Sequence, residues 1–311
     1  MKRLLKSLLV VLVFPIFAAG IEQIAEVTHP QLGEMSGIVA STYEDIYWVH
    51  NDSGVSARIF AIKADGSVVL PRLITTLFPN RSTDAWEGYS IDNAWHQDWE
   101  DIAIDNGVLF VADVGNNLNA RRDLGVYVVN EPNPYNVHKT RAAKFLPIRY
   151  PDQLRYPATR WHFDCEAIFT FGGKLYFLTK HRESGKPITW EPGTKLYRLD
   201  TLHTDQDNVL TLVDHHSAVT SVTAADISPD SNYLAILTYG RLWVFDRPTH
   251  GDKWLQSDAR VLDFDPDFIQ QNEGVAFETN QSVLISNENR AIFRVSLDAL
   301  SPIGSSNNAT D

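Results

Sequence analysis

Short hydrophobic runs, each bounded by polar or small residues, recur along the chain in a fixed order. Five runs begin with an acidic or small residue and continue into Ile or Val, at residues 36–39, 100–103, 166–169, 225–228 and 273–276. Some 13 to 15 residues after each start, a second apolar run ends on a polar residue: Asn51, Asp113, Lys180, Tyr239 and Asn287. A third run carries an aromatic residue at matching phase: Phe60, Tyr127, Tyr197, Trp243 and Phe293.

Self-similarity at a period of roughly 40 to 65 residues, built from short strands, is typical of radially repeated sheets. The pattern therefore predicts an all-β fold, a five-bladed β-propeller. Six blades are the alternative, because residues 86–89 weakly resemble a repeat start. Weaker fourth strands are predicted at 68–77, 141–150, 210–214 and 260–264.

The ring is predicted to close through the N-terminal strand. The last repeat ends near Leu297 without a fourth strand, while residues 21–28 form a strand-like segment ahead of the first repeat. Pairing the two would remove the exposed edges of an open sheet. We expect one propeller domain at 21–300, followed by a small, polar, disordered tail at 301–311.

Residues 1–20 read as a signal peptide. Lys2, Arg3 and Lys6 precede an apolar stretch at 8–17, and small residues follow at 18–20. Because no later hydrophobic run reaches about 18 residues, no membrane span is predicted. The expected location is periplasmic or secreted.

The charge of the chain limits its partners. The formal net charge is −12, and removal of the three basic leader residues leaves 24 Lys and Arg against 39 Asp and Glu, a net charge of −15. Such a surface repels nucleic acid at long range. Cys165 is the single cysteine, so no intramolecular disulfide is possible. About 290 mature residues can bury a large core, and we expect a monomer.

Candidate chemistry lies where the innermost strands begin. Aligning the five copies places Ser36, Glu100, Glu166, Ala225 and Glu273 in one ring around the channel. Carboxylates that converge raise one another's pKa unless a cation or hydrogen-bond donors neutralise them. Hard oxygen ligands from several strands are what Ca²⁺ requires, which makes Glu100, Glu166 and Glu273 candidate metal ligands. The alternative is that the acids bind backbone N–H groups and hold the blades together.

A second ring lies at the ends of the next strands and supplies candidate catalytic residues. Asp98 and Asp113 could position water, while Lys180 and Arg241 could neutralise an anionic ester near the metal. In the alternative interpretation, Lys180 only pairs with Glu166 or Glu273.

With these residues the chain resembles exported bacterial propellers of the phytase-like and esterase-like group and related uncharacterised families. The resemblance rests on residues 35–38, 48–54, 98–103, 112–117 with 121 or 122, 164–168, 238–241 and 272–276. It implies a calcium-dependent hydrolase of phosphate or carboxylic esters, with Glu100, Glu166 and Glu273 as candidate ligands. The chain departs from the pattern at Ala225, where an acid is expected, and at 116–117, where Asn replaces Asp.

Two functions follow as hypotheses. The first is a hydrolase that depends on a divalent metal and acts on a small anionic ester. The second is a non-catalytic propeller that binds a glycan, a peptide or another envelope-associated ligand through its long loops.

Overall fold

Antiparallel strands dominate the chain. The computed structural model describes residues 20–54, 56–80 and 82–303. Residues 1–19 of the predicted signal peptide and residues 304–311 of the predicted tail lie outside this part, so both stay predictions. No helix in the described ranges has the length and apolar character needed to cross a bilayer.

The described residues form strands, two short helices and four 3₁₀ turns. The strands are β1 (Ile21–Glu26), β2 (Met35–Ala40), β3 (Tyr47–Asn51), β4 (Arg58–Ile62), β5 (Tyr89–Asp92), β6 (Trp99–Asp105), β7 (Val108–Asp113), β8 (Gly125–Asn130), β9 (Lys139–Arg149), β10 (Trp161–Phe171), β11 (Lys174–Glu183), β12 (Lys186–Trp190), β13 (Thr194–Leu199), β14 (Asn208–Val209), β15 (Thr211–His216), β16 (Val222–Ile227), β17 (Tyr233–Thr238), β18 (Arg241–Asp246), β19 (Ala259–Asp263), β20 (Asn272–Thr279), β21 (Ser282–Asn287), β22 (Ala291–Ser296) and β23 (Ser301–Pro302). The helices are α1 (Arg72–Leu77) and α2 (Pro266–Ile269), and the 3₁₀ turns are Pro30–Leu32, Thr83–Ala85, Trp254–Gln256 and Leu297–Ala299.

The strands pair as a β-propeller, which confirms the predicted fold class. In the described part of the chain the paired sets are β2-β3-β4-β5, β6-β7-β8-β9, β10-β11-β13-β15, β16-β17-β18-β19 and β20-β21-β22-β1. The first strands of the sets contact one another in the cyclic order β2, β6, β10, β16, β20 and back to β2. They therefore surround a common axis.

The N-terminal strand completes the last set, as predicted. β1 pairs antiparallel with β22, with Ile21 opposite Val295 and Glu26 opposite Ala291. The first residues of the domain thus lie beside its last long strand. At the C-terminal end, β23 pairs with β19 through Ser301 and Pro302, so these two residues of the predicted tail are in strand conformation.

Three of the four predicted outer strands are present, as β9, β15 and β19. The fourth, at 68–77, was wrong: after a single bridge between Ile62 and Val68 the chain turns into α1. Pro71 precedes the helix and has no N–H to donate to a sheet, so it ends the extended segment. The outer strand is instead β5, which follows the weak repeat at 86–89 and pairs with both β4 and β9.

Hydrophobic side chains fill the space between neighbouring sets. One buried cluster joins Val126 of β8 to Ile168 of β10 and Phe177 of β11. Another joins Leu237 of β17 to Ile285 of β21. The three inner strands of each set are largely buried on both faces, which explains why they read as continuous apolar runs.

Buried aspartates bind neighbouring inner strands together. Asp101 Oδ1 accepts the N–H of Ile102 at 2.8 Å, and its Oδ2 accepts the N–H of Ile168 on β10 at 2.8 Å. Asp226 Oδ2 likewise accepts the N–H of Phe277 on β20 at 2.8 Å. Both aspartates therefore have the structural role of the alternative interpretation, in which acids bind backbone N–H groups and hold the blades together.

Candidate functional site

A β-bulge lies near the start of every innermost strand in the described chain. The axial residues that the pairing skips are Ser36 with Gly37, Glu100, Glu166, Thr223 and Glu273; β10 has a further irregularity between Trp161 and Asp164. A bulge leaves its extra residue out of the ladder and turns the side chain. The bulges therefore mark the ring of axial residues.

The fourth member of the predicted ring was wrong. The bulge in β16 selects Thr223, whereas the repeat in the sequence selected Ala225. The backbone N–H of Ala225 instead faces Asp101 Oδ2 at 3.4 Å. Thr223 is buried, and its hydroxyl has no hydrogen-bond partner in the described part of the chain.

Two overlapping carboxylate groups lie at these strand starts. The first comprises Asp52, Asp98 and Glu100, and the second comprises Glu100, Asp164 and Glu166. In each group the three residues offer carboxylate oxygens within 4.8 Å of one another. Glu100 belongs to both, so the groups adjoin. Acidic residues that could bind a metal thus cluster at one end of the inner strands.

The first group, which we call the open triad, has no basic partner. Among the described residues, neither Asp52, Asp98 nor Glu100 forms an ion pair with Lys, Arg or His. Asp52 Oδ1 is buried without a hydrogen-bond partner in the described chain. Buried charges are normally paired or bind a metal, so this group is the better candidate for a cation.

The pKa values of the open triad reflect incomplete neutralisation, because Arg121 and Arg182 lower the pKa of Asp98 only in part. Burial and the nearby Asp98 raise the pKa of Asp52 to about 7. Burial and Asp164 raise the pKa of Asp98 to about 6. Burial and Glu166 raise the pKa of Glu100 well above its usual value. Like charges held together at a partly buried site favour the protonated form, and a divalent cation would reverse that preference.

Gly115 makes room for the open triad. A Cβ at this position would overlap Glu100 Oε1 and the carboxylate of Asp98. The Gly115 N–H also donates to the Asp98 carbonyl oxygen at 3.2 Å, which holds the loop after β7 against the start of β6. A side chain at this position would enter the space that the two carboxylates occupy.

The second group, the paired triad, is already neutralised by basic side chains. Arg182 donates to Asp164 Oδ2 at 2.5 Å and to Glu166 Oε1 at 3.1 Å. Lys180 Nζ lies 2.9 Å from Glu166 Oε2. The N–H of Asn116 donates to Asp164 Oδ1 at 2.6 Å. The oxygens that a metal would need here are therefore engaged.

Lys180 also joins the paired triad to Glu273. Its Nζ lies 3.3 Å from the Tyr239 hydroxyl, which donates to Glu273 Oε1 at 2.8 Å. The ammonium lies over the rings of Trp190 and Tyr239, 5.0 and 4.6 Å from their centroids. Burial opposes its charge, but Glu166 and Glu273 raise the pKa of Lys180 above its usual value. Lys180 is therefore a buried cation.

The predicted site residues thus separate into different places. Glu100 and Glu166 come together, whereas Glu273 belongs to neither carboxylate group and meets Tyr239 instead. Burial raises the pKa of Glu273 to about 7, and Lys180 opposes this rise. Lys180 forms an ion pair with Glu166, as the alternative interpretation of this residue expects.

Two predicted catalytic residues have partners of their own. Arg121 donates to Asp113 Oδ1 at 2.8 Å. Arg241 donates to Asp263 Oδ1 at 2.5 Å on the neighbouring strand β19, and its guanidinium lies over Trp243. The charge of Arg241 is therefore neutralised by a residue of the outer strand β19.

Asp52 and Asp164 lie in the segments 48–54 and 164–168, but they are not among the site residues predicted from the sequence. The signal for Asp164 was its spacing, because residues two apart in a strand share one face and the pairs 98/100 and 164/166 are both acidic. Asp52 follows β3, so no local spacing links it to Asp98. Thr223 lies within no acidic motif.

Comparisons with known proteins add little at this distance. No protein-family model matches the chain, and no curated protein matches it. A luciferin-regenerating enzyme is 10% identical over 91% of this chain and 78% of its own, with a TM-score of 0.48. A PQQ-bound aldose sugar dehydrogenase from Streptomyces coelicolor is 9% identical over 89% and 97%, with a TM-score of 0.46. A gluconolactonase from Xanthomonas campestris is 13% identical over 91% and 96%, with a TM-score of 0.40. Likenesses this distant carry no argument about the chemistry of this chain.

Proposed function

We propose that the protein is a metal-dependent hydrolase of phosphate or carboxylic esters, with a divalent cation at the open triad. The observation that carries the proposal is the contrast between the two carboxylate groups. The paired triad has Lys180 and Arg182, while Asp52, Asp98 and Glu100 have no basic partner in the described chain. A cation is the simplest group that would satisfy three clustered carboxylates.

Ca²⁺ fits the donor set best. All three ligands are carboxylate oxygens, which are hard donors, and the described chain offers no thiolate or imidazole within the group. The ligands come from two separate segments, the one after β3 and the start of β6. Ca²⁺ accepts irregular coordination of this kind more readily than Mg²⁺, which requires a nearly ideal octahedron. Glu166 and Glu273, which we predicted as ligands from the sequence, take no part in this proposal.

The metal would supply Lewis-acid polarisation of the ester and a water molecule of lowered pKa. Asp98 would orient that water, because its carboxylate lies in the group and no basic side chain holds it. Glu100 would connect the cation to the paired triad. Lys180 and Arg182 would act indirectly, because they neutralise Glu166 and Asp164 and so lower the negative charge that an anionic substrate meets beside the cation.

Hydrolysis would add the water oxygen to the phosphorus or carbonyl carbon and release the alcohol with a proton. Export to the periplasm or the medium, and the resemblance to the phytase-like group, remain predictions that accompany this proposal.

The test combines Ca²⁺ titration calorimetry with an ester screen. After chelator treatment, wild type should bind Ca²⁺, and Asp98→Asn should weaken binding by at least about tenfold. Asp123→Asn, an exposed position that pairs with Arg121, is the matched control and should bind normally. No heat in wild type would remove the metal, and no turnover of aryl phosphates or aryl esters in the Ca²⁺-loaded protein would remove the hydrolase.

A binding propeller without catalysis is the second candidate. Trp95 is 75% exposed although its backbone is fixed, since its N–H donates to the Tyr127 hydroxyl and its carbonyl accepts from Trp99 Nε1. A large side chain displayed from a rigid segment is a typical anchor for a partner. Ca²⁺ binding without ester turnover would favour this candidate.

A further inference from the structure

A polar cavity whose lining includes no member of either carboxylate group lies beside the segment that joins β9 to β10. Its volume is about 740 Å³, and it is lined by the segment between β9 and β10, which includes Asp152, by His162 and Phe163 of β10 and by Lys195 of β13. Arg155, Arg160 and Leu154 contribute to the lining, as do the buried Ala158 and Phe163. The cavity therefore combines basic and apolar side chains.

The positive charge of this cavity is only partly neutralised. Lys195 Nζ pairs with Asp152 Oδ2 at 2.6 Å, and Asp152 also accepts from the Tyr197 hydroxyl. Arg155 and Arg160 have no ion pair in the ranges that the structure describes. Two unpaired arginines on one loop are notable in a chain with a net charge of −12. They suit an anionic ligand.

The apolar part of the cavity is presented by a fixed loop. Leu154 is 85% exposed, yet the buried Gln153 beside it donates to the carbonyl of Asn119 at 3.0 Å. The N–H of Ala158 donates to the same carbonyl at 3.0 Å. The loop is thus held to Asn119 by the side chain of Gln153 before the exposed leucine and by the backbone of Ala158 after it. A bound apolar group would cover Leu154.

We propose that this cavity binds a small amphiphilic anion, a carboxylate that carries an aliphatic chain. Guanidinium groups match the planar carboxylate and can bind it through two hydrogen bonds. Leu154, Ala158 and Phe163 would contact the chain. The net negative charge of the protein argues for a small ligand over an anionic bilayer, which the whole molecule would repel. The site is independent of the proposed metal and of hydrolysis.

The test is titration calorimetry of the full chain with three related ligands. Octanoate, kept below its micelle concentration, has charge and chain; acetate has only charge, and octanol has only a chain. We expect octanoate to bind at least about tenfold more tightly than either. The double variant Arg155→Gln/Arg160→Gln should weaken octanoate binding by about tenfold or more, and Leu154→Ser should weaken it severalfold.

Two control variants share the exposure and chemistry of these residues. Arg247→Gln removes an arginine that lies over Phe171, and Leu202→Ser removes a leucine that is 64% exposed elsewhere. Both should bind octanoate like wild type. Absence of octanoate binding, equal binding of acetate, or equal binding by the arginine variant would each overturn the proposal. Sedimentation with phosphatidylglycerol vesicles through Leu154, without binding of monomeric octanoate, would assign the site to a lipid surface and would also overturn it.

Discussion

Lys180 Nζ lies 2.9 Å from Glu166 Oε2, and both side chains are almost completely buried. The same glutamate accepts from Arg182, so the ammonium and the guanidinium together occupy the carboxylates of Glu166 and Asp164. A buried pair of this kind adds little net stability relative to apolar residues, but removal of one partner leaves a charge without compensation. Lys180 and Arg182 therefore leave the carboxylates of Asp52, Asp98 and Glu100 as the ones without an ion pair in the described chain.

Replacement of the lysine tests its role in this neutralisation. Lys180→Met should lower the free energy of unfolding by about 3 kcal/mol, because Glu166 would lose one of its two buried basic partners and would keep only Arg182. Added Ca²⁺ should restore part of that loss, since the freed carboxylate could then join a cation. Urea unfolding with chelator and with Ca²⁺ measures both effects.

The double variant Lys180→Met/Glu166→Gln is the matched control for the lysine. It removes both charges, so it should recover most of the lost stability and should lose the extra response to Ca²⁺. If the single and double variants are equally unstable, the ion pair does not explain the effect.

Asp101 should matter for the assembly of the ring. Its carboxylate accepts the N–H groups of Ile102 and Ile168, and loss of both acceptors leaves buried donors unsatisfied. Asp101→Ala should lower the free energy of unfolding by about 2–5 kcal/mol, whereas Asp101→Asn should cost less because it keeps one acceptor oxygen. Urea unfolding compares them. Asp105→Asn, in the same strand β6, is the control and should be nearly neutral.

His181 should make stability depend on pH. Burial and the nearby His162 lower the pKa of His181 to about 3, below its usual value of 6.5. Between these values the unfolded chain binds a proton that the folded protein does not bind. The contribution of His181 to the free energy of unfolding is therefore complete above about pH 6.5 and is lost as the pH decreases towards 3.

Thermal unfolding between pH 7 and pH 4 measures this effect. His181→Gln should flatten the slope relative to wild type, and His250→Gln, at an exposed position, should leave it unchanged. A slope that is identical in all three proteins would show that folding does not change the pKa of His181.

Much of the architecture could be predicted from the sequence because the repeat is local. Alternating apolar runs and an aromatic at constant phase identify three strands of each set, and the missing strand at the C-terminus predicts the role of residues 21–28. The failure at 68–77 also has a local cause in Pro71. The site was harder to predict, because Asp52 reaches the open triad from a different strand than Asp98.

The position of Thr223 illustrates a second limit. A β-bulge shifts the register of β16 by one residue relative to β17, and bulges have no reliable mark in a single sequence. The segment 225–228 has the residue types of the repeat start, but it begins two residues after Thr223, which occupies the position facing the central axis. The partners of Arg241 and Asp113 depend on side-chain contacts that the motif does not encode.

Gly115 offers the most selective test of the open triad, because it changes the available space without changing any charge. A Cβ there would overlap Glu100 Oε1 and the carboxylate of Asp98, so Gly115→Ala must displace at least one of them. The variant should lose Ca²⁺ affinity by about tenfold or more while the carboxylates remain present. Gly240→Ala is the matched control, because a Cβ at Gly240 meets no atom within 4 Å. Calorimetric titration of both variants, with circular dichroism to verify the fold, makes the comparison. If Gly115→Ala binds Ca²⁺ as well as Gly240→Ala does, then the cation lies outside the group formed by Asp52, Asp98 and Glu100.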